Sequence, residues 1–474
     1  MKGRNWGPGG ARRRGLKAFA ARLPLRILAV ASVVVAYHVL ELHFRYREAM
    51  RLKYLPTAFD SPPWRRDGGE AVLAGAAGGW QPLEGGANAE ERGALLDNRR
   101  HWKRLGRGRE GETFTFNGTV VKVYDEDSSP FRNCMPGNAA AGGPPRRWPT
   151  EIPASLAVGG HNNGGGDNDD DDEANREMFV PVKDYFLAAA DPLQPPKWHL
   201  VTPLLKSGTL KSLAKRLRAA GGGPSHGELD RAFRPSFESL LAALESLHAA
   251  RGLCHDDVKL DNVFVGSEAG PDTDTDAGAD QDRDEDPRRW RLGDLGNARE
   301  PGHPYHATAL WTADTPQLRD CRANDALRLT RVYLQFLRRA ARDTRAFDEA
   351  LFRGAEPFSA LYWAVVRAAT AAPAAAAQVA RLSRAYPPPP PPPGELDTEG
   401  SSSWITTQQQ PIDVRGSGRS WVTAAAAAEA VFGWRWSLAS AVGRELRVGA
   451  KESPGTFWGV TWLLGIPVDA CRDA

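Results

Sequence analysis

With 474 residues and a formal net charge of +3, the chain has room for a sizeable folded domain with flanking segments, and its near-neutral balance gives no bulk attraction to nucleic acid. Cys134, Cys254, Cys321 and Cys471 show no C-x-x-C spacing, which excludes a zinc motif and a dense disulfide framework; whether any two pair depends on the compartment. Gly, Ala and Pro cluster in tracts, a sign of long loops around a compact core.

The first acidic residue is Glu41. Before it, a basic tail (1–22) leads into an apolar run from Ile27 to Leu40, short for a bilayer span of about 20 residues. Extended to Leu23–Phe44 it is long enough, with Arg26, His38 and Glu41 near its ends, where charges snorkel. Arg12, Arg13, Arg14, Lys17, Arg22 and Arg26 outweigh Arg45, Arg47, Arg51 and Lys53, so the positive-inside rule predicts a single-pass anchor with its N-terminus cytosolic and the rest across the membrane. Two other readings stand beside it: a cleaved signal peptide, for which no Ala-x-Ala site follows at a natural distance, and a mitochondrial presequence, which the Arg-rich, acid-poor composition also fits. Residues 45–99 read as a linker, with no sustained periodicity over 56–98.

Gly106, Gly108 and Gly111 stand at G-x-G-x-x-G, a weak pattern in a chain with 48 glycines. A dinucleotide-binding unit requires a helix next; here Phe114-Thr-Phe116, Asn117-Gly118 and Thr119-Val-Val-Lys-Val-Tyr124 predict a β-hairpin with a type I′ turn. Lys122 then lies inside an apolar strand, or, on the blander reading, on an edge strand facing solvent. Asn117-Gly-Thr119 is also an N-glycosylation sequon. The Gly- and Asp-rich tract around 159–175 is read as a solvated insertion. Strand-like runs follow at Met178–Val182 and Trp198–Leu205.

Helical periodicity covers Leu210–Ala220 and Phe233–Ala250, the second ending at Arg251-Gly252, a C-cap signal. Directly after come His255, Asp257, Lys259 and Asn262 at His-x-Asp-x-Lys-x-x-Asn, closed by Val263-Phe-Val265. A second acidic insertion (267–287) separates them from Trp290-Arg-Leu-Gly-Asp-Leu-Gly296. Asn324–Leu337 reads as a buried helix, and Phe347–Leu382 has room for two more. Pro387–Pro393 forms a stiff polyproline II spacer with a possible SH3- or WW-type partner. The Trp-rich tail (404–474) follows a Pro-rich linker (384–403); its role is left open.

Taken together and in this order, these motifs resemble eukaryotic-type protein kinases over residues 100–383. The resemblance implies an α+β, two-lobed fold, with a β-rich small lobe over a helical large lobe and disordered inserts, and it implies ATP and Mg2+ as cofactors. It assigns Asp257 to orienting the attacking hydroxyl and accepting its proton, and Lys259 to neutralising the transferred phosphoryl group. Asn262 and Asp294 become magnesium ligands. Gly106, Gly108 and Gly111 cover the phosphates; Lys122 grips them, with Glu151 as its helical partner and Glu126 too close along the strand to serve. Thr202 falls at the gatekeeper position, with Pro203, Leu204 and Leu205 lining the adenine pocket, and Asp325 braces the catalytic loop. Two departures stand out. No Ala-Pro-Glu motif follows, and Asp256 replaces the arginine that answers an activation-segment phosphate, which predicts activity independent of phosphorylation at Thr308, Thr312 or Thr315.

The expected function is phosphoryl transfer from Mg-ATP to Ser or Thr hydroxyls of proteins by a membrane-anchored kinase. Lys259 matches the serine/threonine group. A sugar or small-molecule kinase of the secretory lumen, similar to protein O-mannose kinase, is the first alternative, because the missing Ala-Pro-Glu motif and small large lobe weaken the case for peptide acceptors. A pseudokinase scaffold is the second, although Lys122, Asp257 and Asp294 are all present.

Overall fold

A computed structural model describes residues 11–59, 86–108, 110–127, 131–134, 147–159, 177–189, 193–220, 222–266, 286–312, 317–371, 376–390 and 438–448. Most of both acidic insertions, the last three residues of the polyproline tract and most of the tail lie outside them.

The chain is a mixed α+β structure. A five-stranded antiparallel sheet has the order β1-β2-β3-β7-β6, built from β1 (Lys103–Arg107), β2 (Gly111–Phe116), β3 (Thr119–Tyr124), β6 (Asp184–Ala188) and β7 (Lys197–Pro203). The β2–β3 hairpin turns at Asn117 and Gly118, with φ of 43° and 67°, both positive as a type I′ turn requires. Two-residue strands β4 (Asn133–Cys134) and β5 (Arg147–Trp148) pair beside the sheet and lead into helix α3 (Glu151–Gly159).

Three findings correct the expectations for this half. The supposed linker contains helix α2 (Gly86–Asp97). It is held by the Arg92–Asp184 ion pair at 2.8 Å, and the Arg92 guanidinium lies 5.1 Å from the Phe186 ring. The strand expected at Met178–Val182 is reduced to a bridge between Phe179 and Leu292; the edge strand is β6, six residues downstream of Met178. Its sequence Asp-Tyr-Phe-Leu-Ala hides the pattern, because Asp184, Tyr185 and Phe186 are all buried.

The helical body is centred on α5 (His226–Ala250) and α7 (Cys321–Ala340). Helix α5 begins earlier than its apolar stripe, at a Ser225–Glu228 capping box that fixes its start. Phe237 stacks on Tyr333 with ring centroids 4.6 Å apart. The buried Asp230–Arg234 pair is completed by the Tyr333 hydroxyl, 2.6 Å from Asp230. Around this axis lie α4 (Leu210–Ala219), the short hairpin of β8 (Val263–Val265) and β9 (Trp290–Leu292), and α6 (Ala309–Thr312). Among the described residues three helices, where two were expected, lie between 344 and 385: α8 (Thr344–Arg353), α9 (Pro357–Ala371) and α10 (Ala376–Ala385).

Segments on both sides of residues 100–383 also pack on this body. Helix α11 (Leu438–Glu445), in the tail, packs on this body through Val442 and Leu446, both buried, and Glu445 accepts from the Tyr362 hydroxyl at 2.6 Å. The first helix, α1, runs from Ala11 to Lys53, well past Phe44. Its stretch from Arg26 is long and apolar enough to cross a membrane, and its large apolar side chains from Ile27 to Leu40, and Phe44, face outward, as Val33 does at 69% exposure, while Leu42 already packs inward. Beyond Phe44 the same helix turns inward: Tyr46, Ala49 and Met50 are buried, as is Tyr54 just after its end. The polyproline tract starts against the body, where Arg231 donates to the carbonyls of Pro389 and Pro390.

Candidate active site

A cleft of about 840 Å³ separates the sheet from the helical body. Its inner apolar wall includes Val120, Leu200, Thr202, Leu204, Leu205, Phe264 and Leu292, from strands of both halves and the segment joining them. Its polar wall carries Lys122, Glu151, Asp257, Lys259, Asn262 and Asp294. The sequence-derived residues therefore converge on one cavity, Gly106 excepted. Gly106 sits at a register shift in β1 with open space around it, and nothing there demands glycine. Gly111 is different, because an added Cβ would lie 2.0 Å from the Val123 carbonyl oxygen. Only glycine lets the loop fold this closely onto β3.

On the sheet side, pairing of Lys122 with Leu200 and Thr113 fixes its strand position, and its ammonium reaches three carboxylates. It pairs directly with Glu151 at the start of α3, with Asp294 at 3.1 Å and with Glu110 at 3.5 Å. The Tyr124 hydroxyl adds a hydrogen bond to Glu151 at 2.6 Å. Burial and the crowding of Asp294 and Glu110 push Glu151 up to about 7, against the pull of Lys122. Burial alone would raise Asp294 too, but Lys122 and Lys259 outweigh it and hold this carboxyl down at about 2. Despite its burial, Lys122 is raised well above the ordinary lysine value by Asp294 and Glu151. The ammonium and the Asp294 carboxylate are thus both charged.

Glu110 was not anticipated. It comes from the glycine loop, and Gly296 makes room for it: a Cβ there would be 2.9 Å from the Glu110 carboxylate. In sequence it is an unremarkable loop acid, with no signal beyond its place between Gly108 and Gly111.

On the helical side, Lys259 donates to Asp257 at 2.6 Å, and Asn262 donates to the Asp257 backbone carbonyl at 3.0 Å. Asp325, deep in α7, accepts from the backbone N–H groups of His255 and Asp256 at 2.6 and 3.1 Å. His255 reaches the Gly293 carbonyl at 3.1 Å and so ties the loop to the strand before Asp294. Arg328, one turn beyond Asp325, also escaped the sequence reading. Its guanidinium donates to the Asp256 carbonyl and lies 3.6 Å from Asp257. It was legible only as a buried arginine three positions from Asp325 on a helix, hence on the same face.

Asp256 adopts a left-handed φ of 62°. Its side chain is almost completely buried against Arg299 at 3.1 Å and His306 at 2.8 Å. Although burial opposes it, these two cations hold Asp256 down at about 2, while the carboxylate raises His306 above the ordinary histidine value against its own burial. The loop and the segment after Asp294 are therefore joined by an internal ion pair. A disulfide between Cys254 and Cys321 joins the same loop to the start of α7.

Chemically, the cavity offers an apolar slot, the half-buried Lys122 ammonium, an ionised Asp294 facing it, and a second carboxylate, Asp257, beside a lysine. Hard oxygen donors from Asp294 and Asn262 suit magnesium, and the ammonium suits phosphate oxygens. The chain matches no protein-family model and no curated protein sequence.

Proposed function

We propose that this protein is a membrane-anchored kinase of the two-lobed protein-kinase fold, transferring the γ-phosphoryl group of Mg-ATP to a Ser or Thr hydroxyl of a protein. The observation that carries this reading is the meeting, in one cleft, of the Lys122–Glu151–Asp294 cluster with the Asp257–Lys259–Asn262 loop.

In this reading the adenine enters the apolar slot at Thr202, Leu204 and Leu205. Lys122, fixed by Glu151, exchanges its contacts with Glu110 and Asp294 for phosphate oxygens. Asp294 and Asn262 would hold magnesium, and the ion would supply neutralisation of the phosphate charge. Asp257 orients the acceptor hydroxyl and takes its proton as the new P–O bond forms; the γ-phosphorus separates from the bridging oxygen, which leaves with ADP. Lys259 balances charge on the transferred group. Catalysis of this kind is mostly positioning and electrostatics, and the Asp325 carboxylate, accepting from the backbone N–H groups of His255 and Asp256, serves that purpose.

The disulfide at Cys254 supports placement of this part of the chain in an oxidising compartment. Together with the charge bias around α1, that favours a lumenal or extracellular kinase domain with the N-terminus cytosolic.

The test is γ-phosphate transfer by the full-length chain in detergent micelles, with Ser/Thr peptide arrays and sugar acceptors side by side and Asp257→Ala as control. Label on Ser or Thr that disappears in the variant upholds the reading. Transfer to sugars alone would reassign it to a carbohydrate kinase, and nucleotide binding without any transfer would leave a scaffold.

A further inference from the structure

The end of α1 is tied into the catalytic centre. Tyr46, Ala49 and Met50, at helical spacing, together with Tyr54, pack on Tyr305, Leu310 and Trp311 and on the Cys254–Cys321 pair. The extended residues that follow run alongside the segment after Asp294. The Thr57 hydroxyl donates to the Ala298 carbonyl at 2.8 Å, and the Thr57 carbonyl accepts from Asn133 at 2.8 Å. The backbone N–H of Ala58 donates to Glu300 at 3.0 Å. Arg299 connects the two systems: one nitrogen pairs with Asp256 at 3.1 Å and the other donates to the Lys53 carbonyl at 3.2 Å. Lys53 and Tyr54 themselves line the cleft on the side of Tyr305 and Trp311.

We infer that residues 46–58 are a positioning strap for the catalytic centre, holding the segment 298–311 in its working course through Ala298, Arg299 and Glu300. This rests on the phosphoryl-transfer reading. In the strapped state Arg299 is already neutralised by Asp256, and Thr308 is buried with its hydroxyl on the Tyr305 carbonyl. The segment is ordered by the end of the apolar helix, and no added phosphate is needed. Residues 46–58 are thereby positioning residues, acting through Arg299 and Asp256 on the adjacent Asp257.

The experiment uses the full-length protein in detergent micelles. Thr57→Val keeps the shape and removes one bond; Met50→Asp lifts the helix end from its aromatic seat; Arg345→Gln, in the exposed pair with Glu349 on α8, is the control. The strap predicts that Thr57→Val speeds amide hydrogen exchange in 298–311 by about fivefold to tenfold, as loss of one buried hydrogen bond implies, while α7 keeps its protection. Turnover falls by a similar factor in Thr57→Val and further in Met50→Asp. KM for Mg-ATP stays within about twofold, since these residues act on positioning rather than on nucleotide binding. Phosphatase treatment leaves wild-type turnover unchanged. Unchanged exchange in Thr57→Val, or faster exchange with unchanged turnover, overturns the strap. If the wild type transfers no phosphate, the phosphoryl-transfer reading falls and exchange alone judges the strap: lost protection of 298–311 upholds it, and unchanged protection overturns it.

Discussion

Replacing Asp256 by Asn probes the internal ion pair directly. The carboxyl is held at about 2 against an ordinary 3.8, a difference worth about 2 kcal/mol of native stability near neutrality. Asn keeps the shape but leaves Arg299, 2% exposed, and His306, 4% exposed, without a counter-charge. Breaking one side of a buried pair typically costs about 3–5 kcal/mol; because Asn retains an acceptor, we expect about 3 kcal/mol. Urea denaturation of the two single variants and of Asp256→Asn/Arg299→Met measures it as a double-mutant cycle, with a coupling of about 2 kcal/mol. The pH dependence carries the same signature. The lowered Asp256 contributes stability that is present above 3.8 and lost as pH falls toward about 2. The raised His306 contributes stability that is full below 6.5 and lost as pH rises through its folded value, so the alkaline loss should vanish in Asp256→Asn. A destabilisation below about 1 kcal/mol, or additivity within about 0.5 kcal/mol, would refute the assignment of the pair as a structural joint.

Further outcomes are expected. Because Glu151 must ionise to pair with Lys122 and is pushed up to about 7, kcat/KM for Mg-ATP should rise as pH increases through that value; a Glu151→Gln variant should lack the step, measured by steady-state transfer across pH 5.5–8.5, about the range that brackets it. Gly111→Ala, whose Cβ meets the Val123 carbonyl at 2.0 Å, should cost about 2–3 kcal/mol in thermal unfolding and weaken Mg-ADP binding measured by calorimetry. The Cys254–Cys321 bridge closes a separation of 67 residues, so Cys254→Ser/Cys321→Ser should lower stability by about 4 kcal/mol in urea on the chain-entropy model; a loss below about 1 kcal/mol would count against that account.

Much of the candidate site was legible because its parts are local in sequence. Asn117-Gly118 specifies a turn by φ alone, Lys122 is flagged by the apolar residues around it, and Asp257, Lys259 and Asn262 sit within six residues. Glu151 could be named because it begins a helix, although pairing it with Lys122 needed the fold. What escaped depends on distant partners. Helix α2 has a weak Gly/Ala-rich pattern and is secured by Arg92 reaching Asp184. Strand β6 lacks alternation because it is buried at three successive positions. Arg328 and Glu110 acquire meaning only when α7 and the glycine loop come to the cleft. The helix end at Tyr46–Tyr54 looked like the start of a linker, because its apolar residues have no partner until Tyr305 and Trp311 fold back onto them.

The continuity of α1 sets a length scale. From Phe44, where the outward apolar surface ends, to Lys53 at the cleft wall, nine residues of helix span about 14 Å. Under the membrane-anchored reading proposed above, this arm would be a stiff strut, not a tether, and the cleft would ride at a fixed height above the lipid headgroups. Acceptors carried in or on the same membrane would then meet it by lateral diffusion in a plane, at an effective concentration set by their surface density and by the strut's height. A soluble acceptor of equal intrinsic affinity gains nothing from that geometry. Lengthening the helix by one turn would raise the cleft by about 5 Å and shift which acceptors lie within its reach.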